Sequence, residues 1–180
     1  MANKKKKSLP NPDSKFLRIS ILTLCALGMG LSVYALHVEI SKERDSSYTA
    51  LCDYNELISC SKVFSSRYGR GFGLVDRVLG NDSVINQPNS VFGMAYFTFQ
   101  TALGKMVLSS ATTGHSSKFL FASVIANIGS VYLAFILYYV LEDFCIVCVS
   151  TYVVNILVFS CAIIKYKRAL RVLYLGKINQ

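Results

Sequence analysis

Asp143-Phe144-Cys145-Ile146-Val147-Cys148-Val149-Ser150-Thr151-Tyr152 sets a Cys-x-x-Cys pair at the head of an apolar run that continues to Ile164. Two cysteines three apart on a helix share a face and can bridge, holding two electrons as a disulfide. A helix beginning near Phe144 would also offer them its unpaired N–H groups and the positive end of its dipole, which favour thiolate over thiol. A dithiol at the mouth of an apolar helix points to redox chemistry with something that dissolves in lipid.

Three further apolar runs precede this one, so the spans are expected at about 17–36, 91–108, 119–141 and 146–164, each near the ~20 residues that cross a bilayer core. With 53% hydrophobic residues in 180, the chain is too apolar for an ordinary soluble domain of its size. The first run follows Lys4–Lys7 like a signal peptide. It is long and lacks a small-x-small cleavage site, and it reads as a retained span.

A net charge of +9 raises nucleic acid as a partner, but the placement of the charge excludes it. The basic residues gather before the first run, in the 105–118 connection and after Ile164, whereas 37–89 carry six Lys/Arg against seven Asp/Glu. The positive-inside rule puts both termini in the cytosol and 38–89 with the 142–144 turn on the other side. The expected architecture is therefore an all-α integral membrane protein. Its four-transmembrane-helix bundle (17–164) carries a lid over 38–89 between helices 1 and 2, and is flanked by a disordered basic tail (1–16) and a second basic cytosolic tail (165–180).

Within the lid, Ser46-Ser47 reads as the cap of a short helix carrying Tyr48, Leu51, Leu57 and Val63. The glycines of Ser65-Ser66-Arg67-Tyr68-Gly69-Arg70-Gly71-Phe72-Gly73 break any helix, and Asn89 is placed to cap the second span. Asn81-Asp82-Ser83 matches a glycosylation sequon. Gln100, Thr98, Thr101, Asn127, Gly129 and Ser130 read as helix–helix contacts, and Tyr132, Tyr138 and Tyr139 as packing or interface aromatics.

Cys52, Cys60, Cys145 and Cys148 fall on the side where disulfides persist. Cys25 and Cys161 lie within spans and read as small buried hydrophobes. A lone Cys-x-x-Cys is also compatible with a structural disulfide or half a zinc site. Cys-x₇-Cys is a poor zinc spacing, so no metal is expected. Two pairs, one exposed and one at membrane depth, make a relay by thiol–disulfide exchange. Tyr152, four residues beyond Cys148, shares its face. With Asn89 it supplies O–H and N–H₂ donors for two quinone carbonyls, the bland alternatives being a packing tyrosine and a capping asparagine.

These residues, in this order, resemble the vitamin K epoxide reductase family. The matching stretches are Tyr34-Ala35-Leu36-His37-Val38, Ala50-Leu51-Cys52-Asp53, Ile58-Ser59-Cys60-Ser61, the run from Phe64 to Leu74, Asn86-Gln87-Pro88-Asn89-Ser90, and Asp143 to Cys148 with Tyr152, spanning about 25–165. The segment from His37 to Asp45 and the Pro88 context are closer to the family's reductase-like branch, and Cys60–Gly73 to the main one. The resemblance implies a multi-pass enzyme of the endoplasmic reticulum membrane that reduces vitamin K 2,3-epoxide to quinone and quinone to hydroquinone. It implies a dithiol reductant and no tightly bound cofactor. Cys148 would attack substrate, Cys145 resolve it, and Cys52 and Cys60 pass electrons from a lumenal thioredoxin-fold partner. Asn89 and Tyr152 match the family's donors to the naphthoquinone carbonyls. Phe64 and Phe92 match positions lining the ring pocket, where coumarin anticoagulants bind. Tyr68 departs from the family's usual Trp, which bears on the lid's anchoring and on inhibitor affinity.

The same cysteines would serve a quinone-linked oxidase that makes disulfides for secretory proteins. A four-span structural protein would keep them as static disulfides. Loss of turnover on Cys148→Ala separates an enzyme from the latter.

Overall fold

The computed structural model describes residues 15–55, 58–80, 82–109 and 113–178. Lys4–Lys7, Leu57, Asn81 and the Asn179-Gln180 end lie outside them. Helix α1 (Lys15–Arg44) is followed by the short α2 (Cys60–Ser65), two 3-10 turns at Arg67–Gly69 and Gly71–Gly73, and α3 (Val75–Leu79). The long helices α4 (Asn89–Ser109), α5 (Thr113–Tyr139) and α6 (Ile146–Ile178) complete the chain. The fold is all-helical, and among the described residues extended pairing is confined to isolated bridges.

Helices α1, α5 and α6 are long and apolar enough to cross a membrane. Helix α4 has 21 residues, but Gln100 and Lys105 dilute its apolar run. Helix α1 packs on α4 and α6, and α5 on α4 and α6, closing a ring of four. Its deep core gathers Ile21, Phe97, Val107, Phe119 and Val158. The α1–α4 approach depends on Gly28, because a Cβ there would lie 2.2 Å from the Phe97 ring. Leu27, Phe99, Phe121, Ile128, Val131 and Ile156 point outward. Water would penalise that surface, whereas hydrocarbon accepts it.

Polar side chains link the helices inside the ring. Gln100 donates to Ser123 at 2.7 Å, Asn127 to the Asn155 carbonyl at 3.1 Å, and Asn155 to Ser130 at 2.8 Å. Thr101, besides bonding the Phe97 carbonyl of its own helix, hydrogen-bonds Cys25 of α1, whereas Thr98 bonds only back to its own helix and a Cβ on Gly129 would meet nothing within 4 Å, so these last two are not inter-helix contacts of the kind expected.

Several element bounds differ from the sequence reading. Helix α1 continues past His37 to Arg44, where Asp45 captures the Ser47 N–H and hydroxyl and stops it. Helix α6 runs on through the basic segment after Ile164 and ends at Ile178. The short helix expected after Ser46-Ser47 does not form there. Residues 46–55 turn and pair with Ile58, and the helix starts later, at Cys60, with Ser59 as its N-cap.

Candidate functional site

The site is built where residues 50–55 and 58–74 fold over the ends of α1, α4, α5 and α6. Its first part is a turn at 50–53, closed by the Asp53 N–H on the Ala50 carbonyl at 3.0 Å. The Asp53 carboxylate accepts from the Ala50 N–H at 2.7 Å and from the Ser59 hydroxyl and Ser61 N–H at 3.0 Å each. Burial pushes its carboxyl up, but these bonds outweigh burial and hold it down at about 2. The anchor brings Cys52 and Cys60 together as a disulfide with Cα atoms 5.8 Å apart.

The same strip is pinned to the head of α6. Ile58 bridges Phe144, and the Ser59 N–H donates to the Phe144 carbonyl at 3.2 Å. Cys60 and Cys145 thus stand one residue from this bond on either side, and both are fully buried in one cluster with Cys52. Among the described residues no group of three or more His, Cys, Asp and Glu could hold a metal ion. Cys145 and Cys148 are free thiols, with the Cys148 N–H on the Cys145 sulfur at 3.3 Å. Hydrogen bonds from the Cys148 thiol and from the Cys148 and Val147 N–H groups hold Cys145 below the usual thiol range against its burial.

Beneath the lid lies a cavity of about 120 Å³ with Cys148 and Tyr152 on one wall. Phe64 and Tyr68 come from the lid, Asn89 and Gly93 from α4, Ile136 and Leu137 from α5, and Ser32, Ala35 and Glu39 from α1. Cys148, Tyr152, Asn89 and Phe64 therefore meet in one chamber. Phe92 does not line it; its ring packs on Phe72 with centroids 5.3 Å apart.

Asn89 opens α4 but does not cap it. Its amide N–H₂ donates to the Tyr68 carbonyl at 2.6 Å, and its carbonyl oxygen accepts from the Phe72 N–H at 2.9 Å. Tyr132 donates to the Phe72 carbonyl at 3.2 Å. These two side chains hold both backbone groups of Phe72 in a left-handed conformation (φ 60°), unfavourable for a residue with a Cβ. Gly73, at φ 66°, is required next to it, since a Cβ there would lie 2.3 Å from the Tyr68 ring.

Sequence reasoning missed Glu39. Its side chain is 4% exposed, lines the cavity, and pairs with Arg70 of the lid, Nε to Oε1, at 3.3 Å. Arg70 also pairs with Glu43, so one lid guanidinium spans two carboxylates on α1. The signal was available: Ser32, Ala35 and Glu39 recur at helical spacing on one face. Lys62 ties the lid to the α6 side through Asp143 at 3.3 Å.

The vitamin K epoxide reductase family profile matches residues 19–163. A mouse protein named vitamin K epoxide reductase complex subunit 1 is 53% identical over 135 residues, covering 75% of this chain and 81% of that protein. Its rat namesake is 52% identical over 134 residues, covering 74% and 81%. These matches show the family, not a branch of it.

Proposed function

The chain belongs to the vitamin K epoxide reductase family, and from that premise we propose that it reduces vitamin K 2,3-epoxide to quinone and quinone to hydroquinone in the membrane. The observation that carries this reading is the apolar cavity with a free thiol, Cys148, on its wall beside a second, bonded cysteine pair. Helix α4, about 31 Å long at 1.5 Å per residue, serves as the fourth span, its Gln100 satisfied within the bundle. The lid and the head of α6 face the lumen of the endoplasmic reticulum, and both termini face the cytosol.

Cys148 loses its proton to the Cys145 sulfur, to which it already hydrogen-bonds, and its thiolate adds to a substrate carbon. Tyr152 and Asn89 donate to the substrate carbonyls, and Phe64 packs on the ring; Asn89 retains one amide proton beyond its bond to Tyr68. Cys145 then attacks the Cys148 sulfur, its proton passing to the substrate oxygen that leaves reduced. The Cys145–Cys148 disulfide forms and the electron pair leaves with the product, with water also released when the substrate is the epoxide. Cys60, once its bond to Cys52 is reduced, attacks Cys145, and Cys52 resolves that mixed disulfide. A lumenal thioredoxin-fold dithiol protein recharges Cys52 and Cys60, and coumarin-type inhibitors compete for the ring pocket.

Run backwards, the same chain would oxidise secretory thiols at the expense of quinone, and comparing flux from each end separates the directions. Purified protein supplied with dithiothreitol should convert vitamin K epoxide, and Cys148→Ala should abolish turnover. Conversion by Cys148→Ala at the wild-type rate would refute the thiol mechanism, and no conversion by wild type would return the chain to a structural role.

A further inference from the structure

Given the thiol-relay reading above, we propose that the turn bearing Leu51, Cys52 and Tyr54, together with the groove beside it, is the surface on which the dithiol donor protein docks. The donor has to reach a disulfide of which one sulfur is sealed. Cys60 is 0% exposed and Cys52 is 8% exposed, so attack falls on Cys52 and Cys60 leaves as thiolate. On either side of Cys52 stand Leu51, 89% exposed, and Tyr54, 78% exposed. They are held out on a rigid frame. Asp53 anchors the turn, and the Tyr54 N–H donates to the Ile58 carbonyl at 2.9 Å. Large apolar side chains fixed outward around a reactive bond are a ready contact for an apolar substrate cleft around a partner's thiolate.

The groove extends that surface. It is an open surface groove between Ile58, Tyr138 and Phe144, with Glu142 and Asp143 at its edge. It adjoins the Ile58–Phe144 bridge under which Cys60 and Cys145 lie. Asp143 is paired with Lys62, which leaves the exposed carboxylate of Glu142 to set the sign of the rim. An anionic rim favours a donor with a cationic active-site face. It disfavours an anionic lipid surface, which selects basic neighbours.

The exchange balances. A donor thiolate attacks Cys52, forming a donor–Cys52 disulfide and releasing the Cys60 thiolate. The donor's second thiol then attacks the donor sulfur of that bond, leaving donor disulfide and two reduced cysteines on this chain.

The test is made on full-length protein in lipid nanodiscs, with reduced protein disulfide isomerase as probe donor and dithiothreitol as the small control. Appearance of free Cys52 and Cys60 is followed by alkylation and mass spectrometry, a readout that does not depend on the vitamin K substrate. Leu51→Ser/Tyr54→Ser should slow reduction by the protein donor about tenfold, the scale of an interfacial aromatic and aliphatic anchor. Reduction by dithiothreitol should stay within about twofold of wild type. Glu142→Lys should slow only the protein donor, most strongly at low salt. An unchanged protein-driven rate, or equal slowing with both reductants, would overturn the assignment. Failure of wild type to turn over vitamin K epoxide, with selective slowing intact, would instead count against the substrate reading alone.

Discussion

Replacing Arg70 with Gln should open the lid without touching a cysteine. Arg70 Nε lies 3.3 Å from Glu39 Oε1, and its guanidinium also reaches Glu43, so a single side chain ties the 3-10 turns to α1. Unit charges at that separation attract by about 5 kcal/mol at an effective dielectric near 20, before desolvation and side-chain entropy are deducted. Arg70 is 44% exposed, which keeps the net value nearer the surface figure, whereas Glu39 is 4% exposed and would lose its counter-charge in the cavity wall, keeping only the Ser90 hydroxyl at 3.5 Å. Together these place the loss at about 1–2 kcal/mol, or roughly a 5- to 30-fold fall in the ratio of closed to open lid. Because Tyr68 and Gly69 of the lid form part of the cavity wall, the loss should appear as a KM raised by a similar factor, with kcat changed less. The assay is dithiothreitol-driven reduction of vitamin K quinone by purified protein, with KM and kcat determined separately. Glu39→Gln in the Arg70→Gln background removes the stranded charge and should recover most of the KM. A KM for Arg70→Gln within twofold of wild type, or a double variant that merely multiplies the two single effects, would refute the argument.

Three other outcomes follow from the same geometry. Cys52→Ser protein, oxidised and digested without reductant, should accumulate a Cys60–Cys145 bridge, because the resolving thiol is gone; a Cys60–Cys148 bridge would contradict the order of the relay. Phe64→Ala should raise KM about tenfold by stripping a ring from the cavity wall, while Phe92→Ala, whose ring packs on Phe72, should do less, as steady-state kinetics will show. Asp53 holds its carboxyl at about 2 against an ordinary 3.8, so its contribution to the turn is complete above the higher value and lost as pH falls through the lower. Hydrogen exchange at Ala50 and Ser61 should therefore rise between those values in wild type and be raised already at neutral pH in Asp53→Ala.

The four long helices, the two cysteine pairs and the shared face of Cys148 and Tyr152 were legible because each rests on local spacing or on an apolar run. What escaped depends on partners far along the chain. Asn89 has the local signature of a helix cap, but its amide is taken by Tyr68 and Phe72, brought back over α4 by the Arg70–Pro88 bridge and the bond from the Gly71 N–H to the Gln87 carbonyl. Glu39 fell within the lid expected from 38 onward, because charge ends an apolar run. The helix continues regardless, since Lys42 finds the Ser46 and Tyr48 carbonyls and Glu39 finds Arg70. The turn at 50–53 displaced the expected helix because Asp53 gathers donors from Ala50, Ser59 and Ser61, a convergence that no periodicity encodes. Helix α6 outlasted its apolar run because nothing between Ile164 and Gly176 is a glycine or proline to stop it.

The central claim is that electrons reach substrate from these thiols, with Cys148 making the contact. A single-turnover experiment tests it most directly. Fully reduced protein is mixed with vitamin K epoxide in the absence of any reductant, and quinone and remaining thiols are counted by chromatography and differential alkylation. The account predicts one disulfide formed among Cys145, Cys148, Cys52 and Cys60 for each quinone released, and neither product nor disulfide in Cys148→Ala. Quinone formed while all four thiols remain alkylatable, or formed by Cys148→Ala, would contradict it.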